Sequence, residues 1–160
     1  MRFRLPEEPA MSEGNRVVAH LLTGQLVKGT TQDFFPNRPM FHMAPLEGGA
    51  TVEVRTKQLK ALFFVREFAG DTRRRDLQGF IAGPGETAQG KKLAVRFKDG
   101  ELLCGYSLAF SPEREGFFMF PSDSGANNLR VYVLTASTAE IMSGPAADTL
   151  ARKVLAQHAA

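Results

Sequence analysis

The sequence has one cysteine, few prolines and no long apolar run, and each scarcity excludes a class of protein. The single cysteine, Cys104, rules out an intramolecular disulfide and a multi-cysteine metal site, and it fits a reducing compartment. No segment approaches the roughly 18 consecutive apolar residues that a membrane-spanning helix requires, and residues 1–16 lack the apolar region of a signal peptide. We therefore expect a cytoplasmic protein without membrane contact, in which Cys104 is a buried, small apolar residue.

The excess of positive over negative charge is also small. The 160 residues carry a formal net charge of +3 and have a pI near 9.2, which is far from the dense Lys/Arg stripe of a dedicated DNA-binding protein. An apolar content of 43% and only 9 prolines place the chain among globular proteins. Residues 1–13 mix charges and prolines without a period, so they are predicted to be a mobile leader.

The most informative feature that the sequence does contain is an internal repeat. The segment that begins at Val17 and the segment that begins at Leu93 share a template at a shift of 76 positions. About two identities would be expected by chance over residues 17–45, but there are nine. They are Gly24/Gly100, Leu26/Leu102, Gly29/Gly105, Phe34/Phe110, Pro36/Pro112, Arg38/Arg114, Phe41/Phe117, Met43/Met119 and Pro45/Pro121. An internal duplication is therefore the first interpretation.

Each copy has the pattern of a small β module. A turn glycine between two β-rich runs, Gly24 or Gly100, predicts a hairpin. Gly29 and Gly105 interrupt the second strand at the same step, which favours a bend or bulge where a small sheet curls toward closure. A proline turn and three further strands follow, although the fifth strand of the second copy is weak. The sequence therefore predicts an all-β protein of two tandem β-barrels, residues 14–68 and 90–144.

The rest of the chain predicts a connector and a helix. Residues 69–89 contain several glycines and the run Arg73-Arg74-Arg75 without a sustained period, which is typical of a connector. In residues 145–160, Asp148 is expected to cap a helix that runs through Gln157. The apolar stripe of this helix is narrow, so we expect it to pack on a barrel or on a second copy of the chain.

The bent hairpin resembles the opening of the Sm/LSm family, whose domains are SH3-like barrels. In the first motif of that family, a turn glycine, a strand glycine and an aromatic residue follow one another. Gly24, Gly29 and Phe34 match this order, as do Gly100, Gly105 and Phe110, and residues 62–66 resemble the start of the second motif. The resemblance covers about half of each module and implies a pair of SH3/Sm-like barrels.

The residues with which Sm-like proteins contact RNA are replaced in this sequence. Phe35 and Ser111 stand where the family has Asp, and Glu67 stands where it has Gly. Arg38-Pro39 and Arg114-Glu115 replace a Met-Asn pair, so uridine-specific recognition is not expected. The complete repeat is similar to an uncharacterised bacterial domain family, from which no activity follows.

No motif has the spacing that catalysis requires. Residues 85–92 nearly match a phosphate-binding loop, but Lys92 stands where Ser or Thr would bind Mg²⁺, and a strand follows instead of a helix. His20, His42 and His158 lack metal-ligand spacing, and no nucleophile has an evident base and acid. We therefore expect no enzymatic activity, no cofactor and no metal site.

Three functions stay open on the sequence. The first is a non-catalytic binding or assembly module, with a protein partner or self-association, because small barrels expose edge strands. The second is weak, sequence-independent nucleic-acid binding through Arg73, Arg74, Arg75, Lys91 and Lys92. The third is a receptor for a cyclic dinucleotide, because Arg73-Arg74-Arg75-Asp76 resembles part of the PilZ family's motifs, both of which are incomplete here.

Arg38 and Arg114 are the repeated polar residues of greatest interest. Each follows the proline turn at the same step, where a guanidinium could contact a ligand. The alternative is that each guanidinium hydrogen-bonds the carbonyls of the turn while its stem covers an aromatic ring. Both interpretations stay open at this point.

Overall fold

The computed structural model describes residues 14–68, 90–108, 110–122 and 127–159. This part of the chain forms ten strands and a C-terminal helix. They are β1 (Asn15–Leu21), β2 (Leu26–Thr31), β3 (Met40–Pro45), β4 (Val52–Arg55), β5 (Leu59–Val65), β6 (Lys91–Phe97), β7 (Leu102–Ser107), β8 (Gly116–Pro121), β9 (Asn128–Leu134), β10 (Thr138–Ser143) and α1 (Pro145–Ala159). The predicted leader (residues 1–13) and connector (residues 69–89) lie outside the described residues.

The two copies have the same strand order. Copy one is ordered β5-β1-β2-β3-β4 and copy two β10-β6-β7-β8-β9. Their hairpin turns also agree, because Gly24 and Gly100 both have a φ of 96°, a value that L side chains rarely adopt. The duplicated sequence therefore folds into duplicated structure.

The copies join edge to edge in one antiparallel sheet. β5 of copy one pairs with β9 of copy two, so that Leu62 lies opposite Tyr132 and Phe63 opposite Val131. The full order is β10-β6-β7-β8-β9-β5-β1-β2-β3-β4, so β10 and β4 are the edge strands among the described residues. The all-β architecture with a C-terminal helix is confirmed. Two separately closed SH3/Sm-like barrels are not confirmed, because strands of one copy pair with strands of the other.

Alternate side chains of the central strands enter two different cores, because successive residues of a strand point to opposite faces. Leu62 and Phe64 of β5 belong to core one, which Tyr132 and Leu134 of copy two complete. Core one consists of Val17, Ala19, Phe41, Met43, Val54, Leu59, Leu62, Phe64, Tyr132 and Leu134. Core two consists of Val18, Ala61, Phe63, Val65, Leu93, Val95, Phe97, Phe117, Met119, Val131 and Val133. Each core thus draws on both copies, and domain boundaries at residues 68 and 90 stay predictions.

Helix α1 covers the outer face of copy two. Its apolar stripe of Ala147, Leu150, Ala151 and Val154 packs on Ala94, Leu102 and Cys104. Asp148, which was expected to cap the helix, lies within its first turn. The helix begins earlier because Pro145 suits the first helical position, and Asp148 instead accepts hydrogen bonds from Lys92 Nζ at 3.2 Å.

The prediction that Cys104 is buried is confirmed. Burial raises the pKa of the Cys104 thiol to about 12. The thiolate, which is the reactive form, is therefore scarce at neutral pH.

Gly29 and Gly105 mark a close approach of two strands. A Cβ on Gly29 would lie 2.3 Å from the carbonyl oxygen of Ala44, and a Cβ on Gly105 would lie 2.2 Å from that of Phe120. The pairing of β2 with β1, and of β7 with β6, continues through these glycines without a change of register. Of the two predicted alternatives, the bulge is therefore not present in these pairings, and the bend stays a prediction. The glycines are needed because the third strand of each copy leaves no space for a side chain.

Candidate functional site

The repeated arginines lie in turns, and hydrogen bonds to the backbone carbonyls of these arginines hold the turns in place. The hydroxyl of Thr56 donates to the carbonyl of Arg38 at 3.2 Å, and the hydroxyl of Thr135 donates to that of Arg114 at 2.8 Å. The Arg38 guanidinium lies over the exposed Phe35 ring, 4.8 Å from its centroid. The repeat therefore preserves a turn, and ligand contact by the two guanidinium groups stays a prediction.

The other predicted basic residues do not form an open patch within the described ranges. Lys92 is bound to Asp148 of α1, whereas Lys91 is exposed at the start of β6. Arg73, Arg74 and Arg75 lie outside the described residues. Nucleic-acid binding and cyclic-dinucleotide binding therefore stay predictions.

A cleft of about 270 Å³ lies where the two copies meet. It opens between the β1–β2 turn of copy one and the β6–β7 turn of copy two. Its lining includes His20, Leu22, Leu26, Lys60, Lys98 and Asp99. A ligand in this cleft would therefore contact both copies.

Lys60 connects the two copies beside this cleft. Its ammonium donates hydrogen bonds to Asp99, at 2.7 Å, and to Glu101, and it lies 4.6 Å from the centre of the Phe97 ring. Burial of the ammonium opposes its charge, but the two carboxylates outweigh this effect and raise the pKa of Lys60. The Lys60 charge is thus already compensated within the protein.

His20 contributes an apolar surface to the cleft. Its ring lies against Phe63, with the ring centroids 4.2 Å apart. Burial is the main effect on the imidazole and, together with nearby Lys60, it lowers the pKa of His20 despite Glu101 and Asp99. Burial against Phe63 therefore favours the neutral form of the His20 imidazole.

A second cleft, of about 510 Å³, adjoins the first at Leu26. Leu22 lines the first cleft, Leu46 lines the second, and Leu26 lines both. The exposed fractions of Leu22, Leu46 and Leu26 are 59%, 54% and 52%, respectively. We refer to Leu22, Leu26 and Leu46 as the leucine surface. Exposed apolar side chains that line adjoining clefts are a feature of interaction sites.

The equivalent face of copy two is covered. Leu102, the repeat of Leu26, is only 8% exposed and packs in the cluster that α1 forms with copy two. Leu26 is therefore exposed in copy one, whereas its repeat Leu102 lies under a helix in copy two.

Sequence reasoning did not find the leucine surface, because each leucine fits an ordinary strand or loop pattern. A signal was available in the differences between the copies. At the shift of 76 positions, Leu22 corresponds to Lys98 and Leu46 to Ser122. Copy one thus has leucine at two positions where copy two has a polar residue.

Comparison with known families tests the similarity that the complete repeat suggested, which was to an uncharacterised family. The model of a family described as "Family of unknown function (DUF6982)" matches residues 13–143. The chain belongs to the DUF6982 family. The expected similarity to a family without an assigned activity is therefore confirmed. No curated protein and no solved structure matches the chain.

The DUF6982 match ends at β10, before α1 begins. Within the described ranges, no group of three or more His, Cys, Asp or Glu side chains is arranged to hold a metal ion. Asp33 and His42 form a pair, with Oδ2 and Nδ1 2.7 Å apart. No helix in the described part of the chain is long and apolar enough to cross a membrane.

Proposed function

We propose that this DUF6982 protein is a non-catalytic protein-binding module that receives an amphipathic helix of a partner on its leucine surface. The observation that carries the proposal is the contrast between Leu26, which is 52% exposed, and its repeat Leu102, which is 8% exposed beside α1. In copy two, the element that covers the equivalent leucine is thus a helix of the protein itself.

The geometry of copy two supports a helix as the occupant. α1 presents one stripe of small and medium apolar side chains to the strands that carry Ala94, Leu102 and Cys104. Copy one has the same strand order, and its second cleft is lined by Leu26, Val27 and Lys28 of β2, the strand equivalent to β7. An amphipathic helix that lays its apolar face in a groove is a common mode of recognition.

The charges around the leucine surface indicate an acidic flank on the partner helix. Lys28 and Lys98 are exposed beside the clefts, and Lys28 stands where copy two has the buried Cys104. Asp99 is engaged by Lys60, whereas Glu47 lines the second cleft. A helix with acidic residues next to its apolar stripe would complement the two lysines.

The test uses a labelled peptide with the α1 sequence, residues 145–159, in which Arg152 and Lys153 are both replaced by Glu. Arg152 and Lys153 are exposed on α1, so the apolar stripe is kept while the flank becomes acidic. We expect this peptide to bind the full chain more tightly than the peptide with the native α1 sequence, as measured by fluorescence anisotropy. The difference should shrink as salt is added.

Leu26→Asp should weaken binding of the acidic peptide by about tenfold or more, because a buried leucine contributes about 1.5–3 kcal/mol. The matched control is Leu129→Asp, which changes a leucine that is 47% exposed away from both clefts. Absence of binding, or equal binding to the Leu26→Asp variant and the wild type, would exclude the leucine surface as the site.

A further inference from the structure

In the part of the chain that the structure describes, strand β4 is paired on one side only, whereas its repeat is paired on both sides. β4 pairs with β3, where Val52 lies opposite Met43. In copy two, Val131 lies opposite Met119 in the same way, and β9 also pairs with β5. Val131 is 0% exposed and its equivalent Val52 is 39% exposed. Within the described ranges, the edge at β4 therefore lacks the neighbouring strand that its repeat has.

The backbone of β4 has hydrogen-bonding groups that point away from β3. The Thr56 N–H donates to the carbonyl of Pro39, and Val54 lies opposite Phe41. Because adjacent residues of a strand direct their peptide groups to opposite sides, those of Glu53 and Arg55 point to the open edge. The Arg55 N–H is bonded to Oε1 of Gln58 at 3.2 Å, which is a local contact that a pairing strand would displace.

The side chains of β4 define what kind of strand can pair there. Glu53 and Arg55 are exposed on one face, with Oε2 and Nη2 3.5 Å apart. The equivalent residues of β9 are Tyr132 and Leu134, which are buried in core one. A strand that presents one acidic and one basic residue with the same spacing would therefore complement β4, whereas β9 pairs with an apolar strand.

The spacing of these two charges makes β4 complementary to itself. In an antiparallel pair, opposed residues have their side chains on the same face. Two symmetry-related β4 strands must therefore place one residue opposite the same residue of the other copy, and not opposite its neighbour. Alignment about Glu53 would oppose two glutamates, and alignment about Arg55 would oppose two arginines. Alignment about Val54 places each Glu53 opposite the Arg55 of the other copy.

We infer that β4 is a self-association edge, at which a second copy of this chain pairs antiparallel about a two-fold axis through Val54. The arrangement is isologous, the commonest symmetry of soluble homo-oligomers, and it joins the two sheets into one continuous sheet. It uses neither Leu26 nor Leu46, so it is independent of the leucine surface. The paired segment is short, and the dimer is therefore expected to be weak and concentration-dependent.

The test is charge reversal at β4 in the full chain, followed by sedimentation velocity over a concentration series. Glu53→Arg and Arg55→Glu should each raise the dissociation constant about tenfold, because two attractive cross-strand pairs become repulsive. The double variant Glu53→Arg/Arg55→Glu should restore association, and an equimolar mixture of the two single variants should form a mixed dimer. Thermal unfolding of each variant shows that the fold is kept.

The matched control is Glu113→Arg combined with Lys153→Glu, two exposed charges outside β4, and it should associate like the wild type. A wild-type chain that stays monomeric at every concentration would overturn the inference and would assign Glu53 and Arg55 the role of keeping other strands away from the edge. Single variants that associate like the wild type, or a double variant that does not recover, would overturn it as well. Leu26→Asp should leave the dimer unchanged, which separates this result from the test of helix binding.

Discussion

Replacing Gly29 or Gly105 by alanine should destabilise the fold strongly, although both positions have ordinary backbone conformations. A Cβ at Gly29 would lie 2.3 Å from the carbonyl oxygen of Ala44, and contacts under 3.0 Å are essentially never adopted by real Cβ atoms. The obstacle is backbone and not the end of a flexible side chain. β2 and β3 must therefore separate by roughly 1 Å to accept the methyl group.

The expected cost can be worked out from this separation. Overpacking of this kind costs about 1–3 kcal/mol, and the strained ladder between β2 and β3 adds about 0.5–1.5 kcal/mol for each weakened hydrogen bond. We expect a loss of about 3 kcal/mol in the free energy of unfolding, which lowers the Tm of a chain of this size by roughly 6–12 °C. Urea denaturation and calorimetry of Gly29→Ala and Gly105→Ala measure both quantities.

Gly48→Ala is the matched control, because it separates steric clash from backbone strain. Gly48 has a φ of 91°, but a Cβ there would meet nothing within 4 Å. Its replacement should cost only the strain of a positive φ, about 1–2 kcal/mol. If Gly29→Ala proved no more destabilising than Gly48→Ala, the close approach of β2 and β3 would not be the reason for the repeated glycine.

Three further predictions concern charge and packing. Lys60→Met should lower the free energy of unfolding by about 1 kcal/mol, since it removes an ion pair between the copies whose two carboxylates are both about half exposed; the loss should shrink in high salt when measured by urea denaturation. Asp33 is partly desolvated, but hydrogen bonds from His42 and Thr31 outweigh this and hold its pKa below the ordinary 3.8. Its contribution is therefore present above pH 3.8 and lost as the pH falls through the lower folded value, so the Tm of Asp33→Asn should fall less on acidification than that of the wild type. Cys104 should react slowly with a thiol reagent in the native chain, and Leu150→Asp, but not Gln157→Asp on the exposed side of α1, should accelerate the reaction by undocking the helix.

The strands and turns of each copy could be predicted because their signals are local. A glycine between two β-rich runs fixes the hairpin turn, as Gly24 and Gly100 show by their identical φ. The sequence signal for the fifth strand of copy two is weak for a physical reason. Among the described strands β10 has one neighbour, and its Glu140 pairs with Arg96 at 2.8 Å, so β10 lacks the apolar pattern of a central strand.

The joining of the copies could not be predicted from local patterns, because it depends on a contact between residues about 70 positions apart, such as Phe63 and Val131. A physical clue was nevertheless present in the run Leu62-Phe63-Phe64-Val65. A strand that is apolar at every position needs cover on both of its faces. A separately closed barrel buries only one face of each strand, so the second face of β5 required a further partner, which copy two provides.

The candidate site depends on what covers a residue, and a repeated residue need not have a repeated role. Leu26 and Leu102 are identical in the two copies, yet one is open and the other lies beneath α1. In copy two the positions that correspond to Leu22 and Leu46 are Lys98 and Ser122, and α1 packs on Leu102 together with the small residues Ala94 and Cys104. Copy one keeps leucine at all three positions without such a helix among the described residues. Exposed leucines gain nothing from contact with water, so the proposed helix binding predicts that an occupant removes these three side chains from water, and the peptide titration with Leu26→Asp measures this directly.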